Sequence, residues 1–224
     1  MDLREGGAVD ARRHWYYRAK ARPLLEFAAA QGAVSEIVDV GAGSGFFSDI
    51  LGERLPGARL IQVDAAYESE SPRRRRELPA RIGPAALVLL MDVLEHVDDD
   101  EAFLRSVVAR CARPCAVFVT VPALPSLWSR HDEFLGHRRR YTLERLEDLA
   151  RRAGLSPVRA YYYFGLLLPA AWLKRRLFPA RDSELSTQPG WLDAALGAAC
   201  RLEHPFRARN RAGGLTCVLE ARLP

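Results

Sequence analysis

The sequence predicts an α/β fold, a three-layer αβα sandwich in which helices cover both faces of a mostly parallel sheet. Strand-length runs such as "AALVLLMDVL" and "CAVFVTVP" are apolar without alternation, as strands buried on both faces must be. Helix-like segments separate these runs, so each strand can return to the same sheet by a crossover. Near the start, "SEIVDVGAGSGFFSDILGERLPGARLIQVDAAY" reads as strand, glycine turn, helix, strand. With 224 residues, 49% hydrophobic and 27% charged, the chain can bury one sizeable core, and one domain over 1–224 is expected.

Taken in order, residues 11–31 form an amphipathic helix stopped by Gly32, and 33–164 form the core of the domain. "DDDEAFLRSVVARCA" is a helix opened by Asp98, Asp99 and Asp100, whose charges suit a helix start better than a metal cluster. Thr142 is the expected N-cap of "LERLEDLARRAG", and Gly154 its stop. "PVRAYYYF" and "GGLTCVLEARL" are two more strands, the last over 213–222. Between them, 165–212 carries two helix-like segments, more chain than a sheet connection needs, and reads as a helical insertion of the kind that carries specificity. The run Arg73 to Arg76 lies in a proline-flanked connection and is expected to be a solvated loop.

The net charge of +5 comes almost entirely from arginine and favours anionic partners. Four cysteines without CxxC pairs imply reduced thiols in a cytoplasmic protein, buried as small hydrophobes. The opening "MDLREGGAVDARRH" has no apolar core of a secretory signal. The longest apolar stretch, Tyr161 to Leu173, is too short to span a bilayer and is followed by Lys174, Arg175 and Arg176. Residues 165–180 thus have the composition of a segment resting on the inner face of an anionic membrane, or of a lid or dimer contact.

The chemistry starts where a strand containing Asp39 runs into Gly41, Gly43 and Gly45. Glycine there lets the backbone turn sharply and approach a ligand. The spacing is GxGxG, and Phe46 stands where a dinucleotide fingerprint needs glycine, which argues against a pyrophosphate. Asp64 closes the second strand nineteen residues beyond Gly45, in position to accept hydrogen bonds from both hydroxyls of an adenosine ribose. On "VDVGAGSG", Asp64 and "LLMDVLEHVDDD", in that order and spacing, the chain resembles the class I S-adenosylmethionine-dependent methyltransferases over roughly 33–160 plus the final strand. The resemblance implies a Rossmann-like, seven-stranded, mostly parallel sheet whose last strand is antiparallel. It implies S-adenosylmethionine as cofactor and S-adenosylhomocysteine as product. Asp39, Gly41, Gly43 and Gly45 would line the methionine part, Asp64 and Ala65 the adenosine, and Asp92 the methyl-transfer centre. The chain departs from the family between Asp64 and Ala85, which is short and lacks a clear acid after a third strand.

Methyl transfer is an in-line displacement, so alignment and exclusion of water supply much of the rate, and some nucleophiles also need a base. His96, His131 and His137 are the candidates. His14, Trp15, Tyr16 and Tyr17 lie in the first helix, which in many relatives folds over the cofactor as a lid. The stretch "LWSRHDEFLGHRRRYT", residues 127–142, follows the fifth strand at the carboxyl edge of the sheet, where ligands collect. Trp128, His131, Asp132 and His137 are expected to shape the acceptor pocket, with Tyr141 beside them and Arg138, Arg139 and Arg140 holding an anionic acceptor or pairing with nearby acids. His131, Asp132 and His137 match no zinc spacing, so no metal is expected. "HRRRY" is basic and aromatic but stands on no recognisable nucleic-acid module. The acceptor suggested by relatives with such patterns is a small or lipid-like molecule. RNA methylation and a non-catalytic binding domain are the two alternatives.

Overall fold

A computed structural model describes residues 10–177 and 189–224. Residues 1–9, and with them most of the opening segment read for a secretory signal, lie outside the described part, as do 178–180 of the apolar and basic segment. The strands are β1 Glu36–Val40, β2 Arg59–Val63, β3 Arg74–Arg75, β4 Ala86–Met91, β5 Cys115–Pro122, β6 Ser156–Tyr163 and β7 Thr216–Leu223. They form one sheet in the order β3-β2-β1-β4-β5-β7-β6. β1 to β5 pair in parallel, and β7 runs antiparallel to both β5 and β6, so β6 shares the direction of the first five. This is the Rossmann-like arrangement expected, with the last strand inserted in reverse.

The helices are α1 Trp15–Ala29, α2 Phe46–Arg54, α3 Asp100–Val108, α4 Arg130–Leu135, α5 Leu143–Arg152, α6 Leu168–Leu177 and α7 Gly190–Glu203. Because strand side chains alternate between faces, β4 divides its fully buried residues between two cores. Val88 and Leu90 join Leu104 and Val107 of α3 and Leu146 and Leu149 of α5. Leu87, Leu89 and Met91 join Leu24 and Phe27 of α1, Phe47 and Leu51 of α2 and Cys200 of α7. Asp99 caps α3 through a bond from the Ala102 amide at 2.9 Å, so the acids of that segment do open a helix. Thr142 Oγ1 accepts from the Arg145 amide at 3.3 Å and caps α5, and Gly154 follows that helix at φ +90°.

The arginine run does not remain a loop. The Gln62 amide donates to Arg73 O at 2.7 Å and the Asp64 amide to Arg75 O at 2.9 Å, which makes Arg74–Arg75 a two-residue edge strand beside β2. An edge strand meets solvent on one side, so backbone pairing coexists with charged side chains that no hydropathy pattern marks as a strand. All four cysteines are unpaired, and Cys115, Cys200 and Cys217 are buried. No helix among the described residues is long and apolar enough to cross a membrane.

Candidate active site

Six parallel strands aim their carboxyl ends at one edge, and the loops there bring the predicted residues together. β1 delivers Asp39, which is 2% exposed; burial pushes its carboxyl up to about 6 against a hydrogen bond from Ser48. Gly41, Gly43 and Gly45 all adopt positive φ, at 70°, 53° and 81°. A Cβ on Gly41 would stand 2.6 Å from a Val93 methyl, and one on Gly45 would stand 2.3 Å from the Gln62 amide nitrogen. Glycine is therefore needed both for its dihedrals and for its missing side chain. The Gly43 amide donates to Asp64 Oδ2 at 2.8 Å and the Ala66 amide to Oδ1 at 2.9 Å, so Asp64 is fixed at the end of β2. Ala65 and Ala66 beside it are exposed, which leaves an open floor next to the carboxylate.

Asp92 follows β4 at φ 57°, a conformation that Asp tolerates better than most residues. Its Oδ1 accepts from Thr120 Oγ1 at 3.1 Å, and its Oδ2 is paired with the ammonium of Lys20 on α1. Burial opposes ionisation here, but the Lys20 charge and hydrogen bond outweigh it and hold the Asp92 carboxyl below its ordinary value. Lys20 is 1% exposed and also reaches the Tyr16 hydroxyl at 3.2 Å. The first helix thus touches the expected methyl-transfer position through Lys20, a residue the sequence reading did not select. The signal existed: Lys20 falls on the buried stripe of α1 with Tyr17, Leu24 and Phe27, where a charge needs a partner.

The substrate-side loops meet through backbone and rings. The Arg138 amide donates to Glu95 O at 2.6 Å, and the His96 and His137 rings lie 4.8 Å apart, edge to face. His137 Nδ1 lies 2.9 Å from Asp132 Oδ1. Asp132 is fully buried and accepts from Arg140 Nε at 2.8 Å and from the Ser129 amide at 2.8 Å, as the capping box of α4. Burial disfavours its charge, yet the His137 bond and the Arg140 guanidinium hold it well below the usual carboxylate range. Glu95 is fully buried with neither carboxylate oxygen hydrogen-bonded; burial and the nearby Asp92 charge push its pKa well above the ordinary value.

Several expected substrate contacts are used inside the protein instead. Arg140 is buried between Asp132 and the Ala123 carbonyl, at 3.0 Å from the latter. Tyr141 is also buried, its hydroxyl 2.7 Å from Asp100 Oδ2 and 3.1 Å from Leu94 O. Arg139 pairs with Asp100 at 3.0 Å and donates to the Asp98 carbonyl at 2.7 Å. Arg138, paired with Asp98 at 3.3 Å, is more than half exposed. Arg138 and Arg139 thus tie the two loops to each other through the acids of "HVDDD", whereas Arg140 pairs within its own loop with Asp132 of α4. Trp128 is 41% exposed at the head of this loop, and His131 lies on α4, outside the group in which Glu95, His96 and His137 converge.

A family model described as a methyltransferase domain matches residues 12–160. The chain belongs to this methyltransferase family. Solved structures share its fold: a SAM-dependent methyltransferase from Archaeoglobus fulgidus is 15% identical with a TM-score of 0.56, over 92% of this chain and 93% of that one. A possible histamine N-methyltransferase from Thermotoga maritima is also 15% identical, with a TM-score of 0.56 over 92% and 90%. The plantazolicin methyltransferase BamL, solved in complex with a triazolic desmethylPZN analog and SAH, is 13% identical with a TM-score of 0.55 over 99% and 87%. No curated protein matches the chain. The methyltransferase takes S-adenosylmethionine as cofactor, and S-adenosylhomocysteine is what remains of it. The residues present fit that molecule: a glycine loop of positive φ, a fixed Asp64 with open floor beside it, and Asp92 at the end of β4.

Proposed function

We propose that this methyltransferase acts on a small or lipid-like acceptor that enters at the carboxyl edge beside His96 and His137. The observation that carries the reading is the Asp132–His137 pair facing His96 over the end of β4. Asp132 is ionised and can only accept, so the proton of a neutral His137 sits on Nδ1 and its Nε2 lone pair is available. Bound S-adenosylmethionine supplies an electrophilic methyl group. Asp39, Gly41, Gly43 and Gly45 would line its methionine part, Asp64 and Ala65 its adenosine, and Asp92 the reacting end. His137 would take the acceptor's proton, with His96 and Trp128 walling the approach and α1 excluding water.

An apolar surface on the same edge supports the lipid-like class. Leu166, Trp172, Leu173, Leu202 and Phe206 are each about half exposed or more, and Leu166, Leu168, Leu202 and Phe206 line an open cavity of about 510 Å³ just after β6. Such a face suits a hydrophobic acceptor or a membrane surface presenting one. The pairing of Arg138, Arg139 and Arg140 with acids favours this class over RNA, which needs free cations for phosphate. Calorimetric titration with S-adenosylhomocysteine tests the cofactor site: Asp64→Ala should weaken binding at least tenfold, and failure of the wild type to bind would overturn the reading. Liposome flotation with and without residues 165–180 tests the apolar face.

A further inference from the structure

We propose that Glu95, His96 and His137 form a binding site for a divalent first-row transition metal ion. One ligand atom from each lies within 4.8 Å of the other two. Donors held by one ion at about 2.0–2.2 Å stand roughly 3–3.5 Å apart, so small side-chain rotations close the set. Glu95 is the independent sign. Its carboxylate is fully buried, neither oxygen has a hydrogen-bond partner, and it belongs to the converging group. A buried carboxyl with neither oxygen hydrogen-bonded is costly whether neutral or ionised, and a cation held by it would satisfy both oxygens.

His137 is prepared as a ligand by its surroundings. Asp132 Oδ1 accepts from Nδ1 at 2.9 Å and is itself fixed by Arg140 and Ser129. A carboxylate holding the far nitrogen of an imidazole is the arrangement that orients metal-bound histidines and raises their basicity. The Arg138 amide bond to Glu95 O at 2.6 Å ties the two contributing loops together. Two imidazoles and one carboxylate select Zn²⁺, Fe²⁺, Co²⁺ or Ni²⁺ over Mg²⁺ or Ca²⁺, which prefer oxygen, and three protein donors leave positions open for an exogenous oxygen ligand. The sequence alone tested His131, Asp132 and His137 together; the fold gives Asp132 to the support of His137 and supplies Glu95 and His96 from another loop.

The ion would occupy the Nε2 lone pair, so His137 serves as the base of the proposed function only in the metal-free protein. With the ion bound, an acceptor hydroxyl would be polarised by the cation and need no imidazole base.

The test is titration of the chelator-treated full chain with Co²⁺, followed by its visible ligand-field absorption and by calorimetry. The expected result is one equivalent bound, at least tenfold weaker binding in Glu95→Gln and His137→Gln, and unchanged binding in Asp98→Asn, which alters an exposed acid nearby. Asp132→Asn should weaken binding about 10–100-fold while leaving the three donors in place. Circular dichroism identifies any variant that fails to fold, and Asp132→Asn and His96→Gln then carry the comparison. Absence of binding in the wild type, or binding indifferent to Glu95→Gln, His96→Gln, His137→Gln and Asp132→Asn alike, would overturn the proposal. S-adenosylhomocysteine binding, measured on the same sample, reports separately on the cofactor site.

Discussion

Lys20 and Asp92 form a buried ion pair linking α1 to the end of β4, and replacing Lys20 by Met tests what that link is worth. Lys20 is 1% exposed and the Asp92 side chain 30%, so solvent can compensate only part of a lost partner. Removing one member of a buried pair costs about 3–5 kcal/mol when the other is left charged and enclosed. The partial exposure of Asp92 and its remaining bond from Thr120 put Lys20→Met near the lower end, about 3 kcal/mol. For a chain of this size that corresponds to a fall in Tm of roughly 6–12 °C. Asp92→Asn should also destabilise, but the double substitution should cost at least about 2 kcal/mol less than the sum of the singles, because no charge is then left unpaired. The sign with pH follows from the lowered Asp92 pKa: the contribution is present above the ordinary carboxylate value and is lost as pH falls below it. Denaturant unfolding of the four proteins at neutral pH gives the cycle. A single-mutant loss below about 1 kcal/mol, or strict additivity, would refute the account of α1 as held by this pair.

Asp39, raised to about 6 by burial, has the opposite sign: the native state binds its proton more tightly than the unfolded chain, so stability falls by about 3 kcal/mol as pH rises from about 4 to 6. Denaturation midpoints of Asp39→Asn measured across that range should lack this slope. Arg140→Met should cost about 3 kcal/mol in urea unfolding because it removes the guanidinium from fully buried Asp132, whereas exposed Arg138→Ala should cost under about 1 kcal/mol. Gly45→Ala places a Cβ 2.3 Å from the Gln62 side chain at φ 81°, and a loss of about 2 kcal/mol or more, read as a lower Tm, is expected.

Much of this molecule was legible before folding. The unbroken apolar runs of β4 and β5 could only be strands buried on both faces, and the structure puts them at 86–91 and 115–122. Asp99, Thr142 and Gly154 marked helix ends because capping is local chemistry, decided within a few residues. The glycine loop and Asp64 were legible for the same reason: positive φ and close backbone approach select glycine, and the strand that follows fixes where the acid falls. β3 was not, since a two-residue edge strand is made by its neighbour's hydrogen-bonding groups and leaves no trace in hydropathy.

What the linear sequence determined was therefore whatever depends on periodicity and local backbone geometry: the order of elements, the class of fold and the loop that receives a cofactor. Tertiary structure alone decided which charges met. It paired Lys20 with Asp92, turned Arg140 and Tyr141 inward, and gathered Glu95, His96 and His137 from two loops at one edge. Partner choice between distant side chains depends on burial and on which chain ends the sheet brings together, and neither is encoded in any single stretch of residues.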